Sequence, residues 1–135
     1  MHEKTILCRL NKDADLVAEI KRIAVENNIT RGAVQVIGAL QRAELGYYRQ
    51  DTLKYEAHSV DRNVELLAGI GNVSLKDGET FVHLHLTLSD ESGACLGGHA
   101  MDGNIIFAAE AMVRAIPGPA LSREFDEPTG LFLWA

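Results

Sequence analysis

Basic residues are scarce in this chain. Thirteen Lys and Arg stand against nineteen Asp and Glu, giving a net charge of −6, and the basic residues form no run. That balance opposes non-specific attraction to DNA, RNA or anionic lipid, each of which needs clustered cations. Cysteine is just as sparse. Cys8 and Cys95 lie far apart and in no CxxC or Cys/His spacing, which excludes a disulfide framework. No apolar run approaches membrane-spanning length. Met1-His2-Glu3-Lys4 lacks the apolar core of a signal peptide, so the expectation is a protein of the reducing cytoplasm with no membrane partner. GxSxG, P-loop and GxGxxG patterns are missing, and Ser and Cys have no base partner in sequence. Nucleophilic catalysis and phosphate cradling therefore have no support.

What is present describes an ordinary globular protein, with 47% hydrophobic and 24% charged residues. A chain of 135 residues suits one domain, here 1–135, and buries about two thirds of its unfolded surface. Thr5–Leu10 reads as a strand. Asn11 to Asp13 offers helix caps, and Leu16, Val17, Ile20, Ile23 and Ala24 then recur at helical spacing until Asn27-Asn28. Short β-branched runs with frequent glycine follow. Ala33–Ile37 is a strand ended by Gly38, Ala43–Arg49 and Thr52–Ala57 flank a turn at Gln50-Asp51, and Asn63–Ile70 is another strand. Gly69-Ile70-Gly71-Asn72 suggests a bulge or a close backbone approach. The stretch from Asn72 to Gly78 reads as a polar connection, Phe81–Leu88 as a cleanly alternating strand, and Ser89–Gly93 as its turn. Ile105–Ile116 suits either a helix or a strand. The strand is preferred, with Ile105, Phe107, Ala109, Ala111, Val113 and Ala115 on one face. Pro117-Gly118-Pro119 ends it, and the tail from Leu121 to Trp134 returns apolar groups to the body. One helix and six or so antiparallel strands make an α+β domain.

Three of the five histidines crowd together: His83-Leu84-His85, then His99 just after Gly97-Gly98. Alternation along a strand buries Val82, Leu84, Leu86 and Leu88 and leaves His83 and His85 on the opposite face, their Cβ atoms roughly 6–7 Å apart. A strand folded back from Phe81–Ser89 would bring His99 near His85. Direct pairing of the two needs an odd number of residues in the turn or a bulge, which Gly97-Gly98 could supply. Three convergent imidazoles would bind a divalent metal and leave one coordination position open. The plain alternative is a set of polar residues on a solvated sheet face. Gly78, His83, His85, Glu91 and Gly97 imitate a cupin motif, but the gaps do not match and the second cupin motif is missing.

Glu110 stands alone in an apolar stretch. It pairs with Arg114 on the same face, or it serves as a catalytic general base beside metal-bound water, or as an acceptor for a ligating imidazole N–H. Arg123-Glu124-Phe125-Asp126 reads as a charged surface turn with an Arg123–Asp126 pair.

His83-Leu84-His85, Gly97-Gly98-His99, the Glu110 strand and the ending Arg123-Glu124-Phe125-Asp126-Glu127-Pro128-Thr129-Gly130-Leu131 together resemble the PPC (plants and prokaryotes conserved) domain. Val36-Ile37-Gly38-Ala39-Leu40 and Glu65-Leu66-Leu67-Ala68-Gly69 are similar to strands of that family, so the resemblance spans roughly residues 3 to 134. It implies a strongly bent, mostly antiparallel sheet with one main helix, assembled as a homotrimer. It also implies a metal, usually zinc, on His83, His85 and His99. Plant relatives bind AT-rich DNA through an attached AT-hook. This chain has no Arg-Gly-Arg-Pro hook, so a DNA partner is disfavoured. The expected function is a metal-dependent enzyme or binder of a small anionic ligand. The alternative is a DNA-associated or regulatory assembly module without catalysis.

Overall fold

A computed structural model of the protein describes residues 4–135. Its elements run β1 (Lys4–Arg9), α1 (Leu16–Glu26), β2 (Gly32–Arg49), β3 (Lys54–Val60), β4 (Val64–Lys76), β5 (Glu79–Ser89), β6 (Cys95–Ala100), β7 (Ile105–Ala115), β8 (Ser122–Asp126) and β9 (Leu131–Trp134). The expected α+β class with one helix is met, with more strands than the six or so expected. All pairings are antiparallel except a short parallel contact between β4 and β8. The sheet follows the order β1-β7-β2-β6-β5-β4-β8-β9, with β3 on β2 and a further β2–β4 pairing. Because β2 meets both β4 and β6, the strands β2, β4, β5 and β6 close on themselves. This is the bent sheet that the family resemblance implies.

The helix begins at Leu16. Its cap is Asp15, whose carboxylate accepts from the Ala18 N–H at 2.9 Å and from the Gly103 N–H at 2.7 Å, so the cap lies beyond the expected Asn11–Asp13. Leu16, Ile20, Ile23 and Ala24 are buried against β5 and β7, and each of the larger three contributes about 2 kcal/mol by leaving water. They join Leu84, Leu86, Leu88, Val34, Val36, Ile106 and Val113 in one core cluster.

Several boundaries differ from the sequence reading, each for a local reason. Gly38 does not end a strand. It sits at φ 150° in a register slip between Val36 and Gly38, where a Cβ would fall 2.1 Å from the Ala108 carbonyl oxygen. The glycine sits at an irregularity of β2, which runs on to Arg49 and is 18 residues long in all. Asn72–Gly78 is not a connection, since β4 runs to Lys76 and turns only through Asp77 (φ 52°) and Gly78 (φ 77°). Both residues have the positive φ that tight hairpins require. The bulge expected at Gly69–Asn72 lies instead between Leu66 and Ala68. The close approach is real, however: a Cβ on Gly71 would lie 1.9 Å from the His83 carbonyl oxygen.

Ile105–Ile116 is the preferred strand, but its inward set is shifted near the start. Ile106 is buried and Phe107 is 55% exposed, because two register slips against β2 between Ala39 and Arg42 change the parity. The tail forms the β8–β9 hairpin, whose Phe125, Phe132, Leu133 and Trp134 remain substantially exposed. Its anchor is polar rather than apolar, and that anchor is Arg123.

Candidate metal centre

The β5–β6 ladder delivers the third histidine without a bulge. Ser89 pairs with Cys95 and His85 with His99 in unbroken register. Residues 90–94 form the turn, and its odd length supplies the parity. Asp90 holds that turn by accepting from the Ser92 and Ala94 N–H groups at 2.9 and 3.1 Å. Glycines keep the neighbourhood open. Gly46 is the register partner of His99 on β2, and a Cβ there would strike Met101 and the Tyr55 ring. Without that side chain Tyr55 packs obliquely on His99, with centroids 4.8 Å apart and planes 32° apart.

The three imidazoles converge. Their ring centroids are 4.8 Å (His83–His85), 5.1 Å (His83–His99) and 5.5 Å (His85–His99) apart. One ring nitrogen from each lies within 4.8 Å of the other two. Nε2 of His83 and Nε2 of His85 are 3.1 Å apart, close to the ~3.3 Å nitrogen–nitrogen edge of a tetrahedral site with ~2.0 Å bonds to zinc. His99 Nδ1 is buried and has no hydrogen-bond partner. An imidazole nitrogen left in that state costs free energy unless something ligates it. The donor set and its spacing therefore fit a divalent metal.

Electrostatics act in the same direction. Burial, then the neighbouring His85 and His99, then Arg123, push the His83 imidazole down to about 4. Burial and His85 also push His99 down. The neutral imidazole is the ligating form, so both rings are held ready to bind a cation.

Beside the imidazoles opens a hollow of about 260 Å³ whose walls include Tyr48, Tyr55, Phe81, Phe132 and the cations Lys54, Lys76 and Arg123. Arg123 was read from sequence as part of a surface turn paired with Asp126. It is in fact 9% exposed. Its Nε donates to Ser74 Oγ at 2.8 Å, one Nη to the Phe132 carbonyl oxygen at 3.1 Å and the other to Asn72 Oδ1 at 2.9 Å. Asp126 instead accepts from the Thr129 N–H and hydroxyl. The polar residues that made 72–78 look like a loop are thus the acceptors that seat this guanidinium. Only the terminal Arg123–Leu131 motif could have signalled it.

Glu110 is not brought to the histidines. In register it faces Arg9 on β1 and Ile37 on β2, and it lines a separate hollow of about 550 Å³ with Leu7, Arg9, Gln35 and Met112. On that flank β2 and β4 stand between β7 and β5, a lateral separation of about 14 Å. Within the chain it therefore serves neither as acceptor for these imidazoles nor as their base.

The bent sheet thus carries three convergent imidazoles on its non-core face. The Plants and Prokaryotes Conserved (PCC) domain matches residues 2–117, and the chain belongs to that family. The metal-containing protein AF0104 from Archaeoglobus fulgidus is 39% identical with TM-score 0.93, covering 98% of this chain and 93% of that one. A plant- and prokaryote-conserved protein from Pyrococcus horikoshii is 34% identical with TM-score 0.92, covering 98% and 91%. A Bacteroides thetaiotaomicron protein provisionally described as DNA-binding shares 22% identity, with TM-score 0.90 over 97% of this chain and 91% of that one. At that identity the likeness concerns the fold alone. Among curated proteins, the bifunctional protein GlmU of a Synechococcus strain is 34% identical over 124 residues, 90% of this chain. The chain spans only 18% of GlmU's length.

Proposed function

We propose that this protein binds a divalent metal, zinc in the first instance, through His83, His85 and His99, and presents it to a small anionic ligand. The observation that carries this reading is the convergence of one ring nitrogen from each of three histidines within 4.8 Å, beside a buried His99 Nδ1 that has no hydrogen-bond partner. The metal-containing Archaeoglobus relative supports it. A metal held by three histidines would act as a Lewis acid on an oxygen of the ligand or lower the pKa of a bound water. This chain's own residues supply three imidazole donors, the Tyr55 ring packed on His99 and a cationic wall that favours an anion.

Among the described residues no helix is long and apolar enough to cross a membrane, and two free cysteines suit the reducing cytoplasm, where we place the protein. The homotrimer is carried over from the family resemblance. Support comes from the outer sheet face, where Leu7, Ile37 and Ile70 are 77%, 55% and 62% exposed, and apolar surface of this kind marks self-association.

The test is metal analysis of protein purified without a histidine tag, before and after zinc is added. Close to one equivalent per chain is expected. Less than about a tenth of an equivalent with no uptake on addition would remove the metal reading. In parallel, AT-rich duplex DNA at physiological salt should show no tight, salt-sensitive binding by a chain of net charge −6.

A further inference from the structure

Arg123 is a buried charge whose counter-charge the fold leaves out. Among the described residues no carboxylate forms a salt bridge with it. Arg22, Arg42, Arg49 and Arg62 each face an acid. Its three protein acceptors are neutral: a hydroxyl, an amide and a backbone carbonyl. A guanidinium offers five N–H groups; three donate here, which leaves two, the number that one carboxylate accepts in a bidentate pair. The ring faces of Phe81 and Trp134, 5.0 and 5.4 Å from its central carbon, offset part of the desolvation but carry no net charge. Lys76 lies 3.9 Å above the Phe132 ring and lines the same hollow as Lys54 and Arg123, and no Asp or Glu lines it. In a chain with six more acids than bases, a cavity walled by three cations and no acid is a built anion site rather than a sample of the surface. By contrast, a hollow of similar size on another flank is lined by Glu65, Asp90 and Glu91.

We infer that this hollow is a subsite for a small organic carboxylate, in which Arg123 takes the carboxylate, Lys76 and Lys54 complete the charge, and the aromatic walls hold an apolar or aromatic body. The inference rests on the reading of the adjoining imidazoles as a metal centre with a small ligand, and it assigns the ligand's class. Tyr48, Tyr55, Phe81 and Phe132 supply flat apolar surface on which a planar body can lie. A volume of about 260 Å³ limits the body to small-acid size, since drug-sized ligands need larger cavities. The anchor holds β8 to β4 through Ser74 and Asn72, so the charge is fixed before the ligand arrives and little ordering is needed on binding.

The test is calorimetric titration of benzoate, its neutral analogue benzamide, and inorganic phosphate into full-length protein, metal-free and zinc-loaded. Benzoate should bind the metal-free protein at least about tenfold more tightly than benzamide and more tightly than phosphate. Arg123→Lys should weaken benzoate binding at least about tenfold, because the fork is lost, while zinc uptake is retained. The double substitution of Lys54→Gln with Lys76→Gln touches one exposed and one half-buried side chain, should leave the fold in place, and should weaken benzoate several-fold. His85→Ala should abolish zinc uptake and leave benzoate binding to the metal-free protein unchanged. Equal binding of benzoate and benzamide, tighter binding of phosphate, or no effect of the double lysine variant would each overturn the carboxylate subsite. Benzoate binding without zinc uptake would sink the metal centre and leave the subsite standing; zinc uptake without benzoate binding would do the reverse.

Discussion

Two hollows on the outer side of the sheet show what makes a site. The hollow lined by Leu7, Arg9, Gln35, Ile37, Glu110 and Met112 is the larger, about 550 Å³, and it contains the acid that stands out most in the sequence. Yet Glu110 and Arg9 face each other in register, so neighbouring strands set opposite charges side by side. The hollow beside His83 and His99 is half that size, and it shares Tyr48, Tyr55 and both of those histidines with one of about 620 Å³ lined by all three imidazoles. Together these two gather three imidazoles whose ring nitrogens converge, a buried His99 Nδ1 without a partner, and a guanidinium without an acid. Volume does not distinguish the two, but polar groups aimed at one point and left unsatisfied do.

The comparison breaks most decisively at the imidazoles. His83→Ala or His99→Ala should lower zinc affinity by more than about 100-fold, since changing even the residues that support metal ligands costs 10–100-fold. A competition titration with a chromogenic chelator reads this. Next in size is Gly71→Ala. The new methyl would meet the His83 carbonyl oxygen at 1.9 Å, forcing β4 and β5 apart at a cost of about 1–3 kcal/mol. A lowered urea midpoint should appear together with weakened zinc binding, and an unchanged midpoint would show that the ladder yields freely there.

A third effect is pH-dependent. His83 is held down at about 4 against an ordinary 6.5. Between those values the unfolded chain binds a proton that the folded metal-free chain refuses, so stability rises with pH across that window and falls as pH drops through it. Urea midpoints of the metal-free protein measured from about pH 4 to pH 7 should show a shallower slope in His83→Gln than in wild type; equal slopes would mean that the ring is not desolvated. The smallest effect belongs to the other hollow. Glu110→Gln should leave zinc affinity within about twofold, as expected for a residue about 14 Å away laterally. A loss comparable to that of the histidine variants would erase the distinction between the two hollows.

Much of the fold was legible because it rests on alternation. The β5 pattern assigned Leu84 and Leu86 to the core and His83 and His85 to the other face, and α1 showed itself by its apolar spacing. Local chemistry misled where a residue type served two purposes. Gly38 reads as a stop but sits at an irregularity of a continuing strand. Asn72 and Ser74 read as loop residues but seat Arg123 from within β4. Asn11–Asp13 offers caps, while Asp15, one residue before Leu16, supplies the one that forms. The β7 faces are shifted by register slips against β2, which no periodicity in β7 itself can reveal.

The site divides along the same line. The sequence by itself determined the imidazole pair on one face of one strand, because side-chain alternation is a property of the backbone. It left open whether an odd-length turn or a bulge at Gly97-Gly98 would pair His85 with His99, and the register with a turn at 90–94 decided that. Only the tertiary structure decided that Arg123 turns inward, forty-nine residues along the chain from Ser74, and that Glu110 stays away on the far side of β2 and β4. Those placements depend on which strands become neighbours when the sheet closes, and strand order is set by the burial of the whole core rather than by any local run of residues.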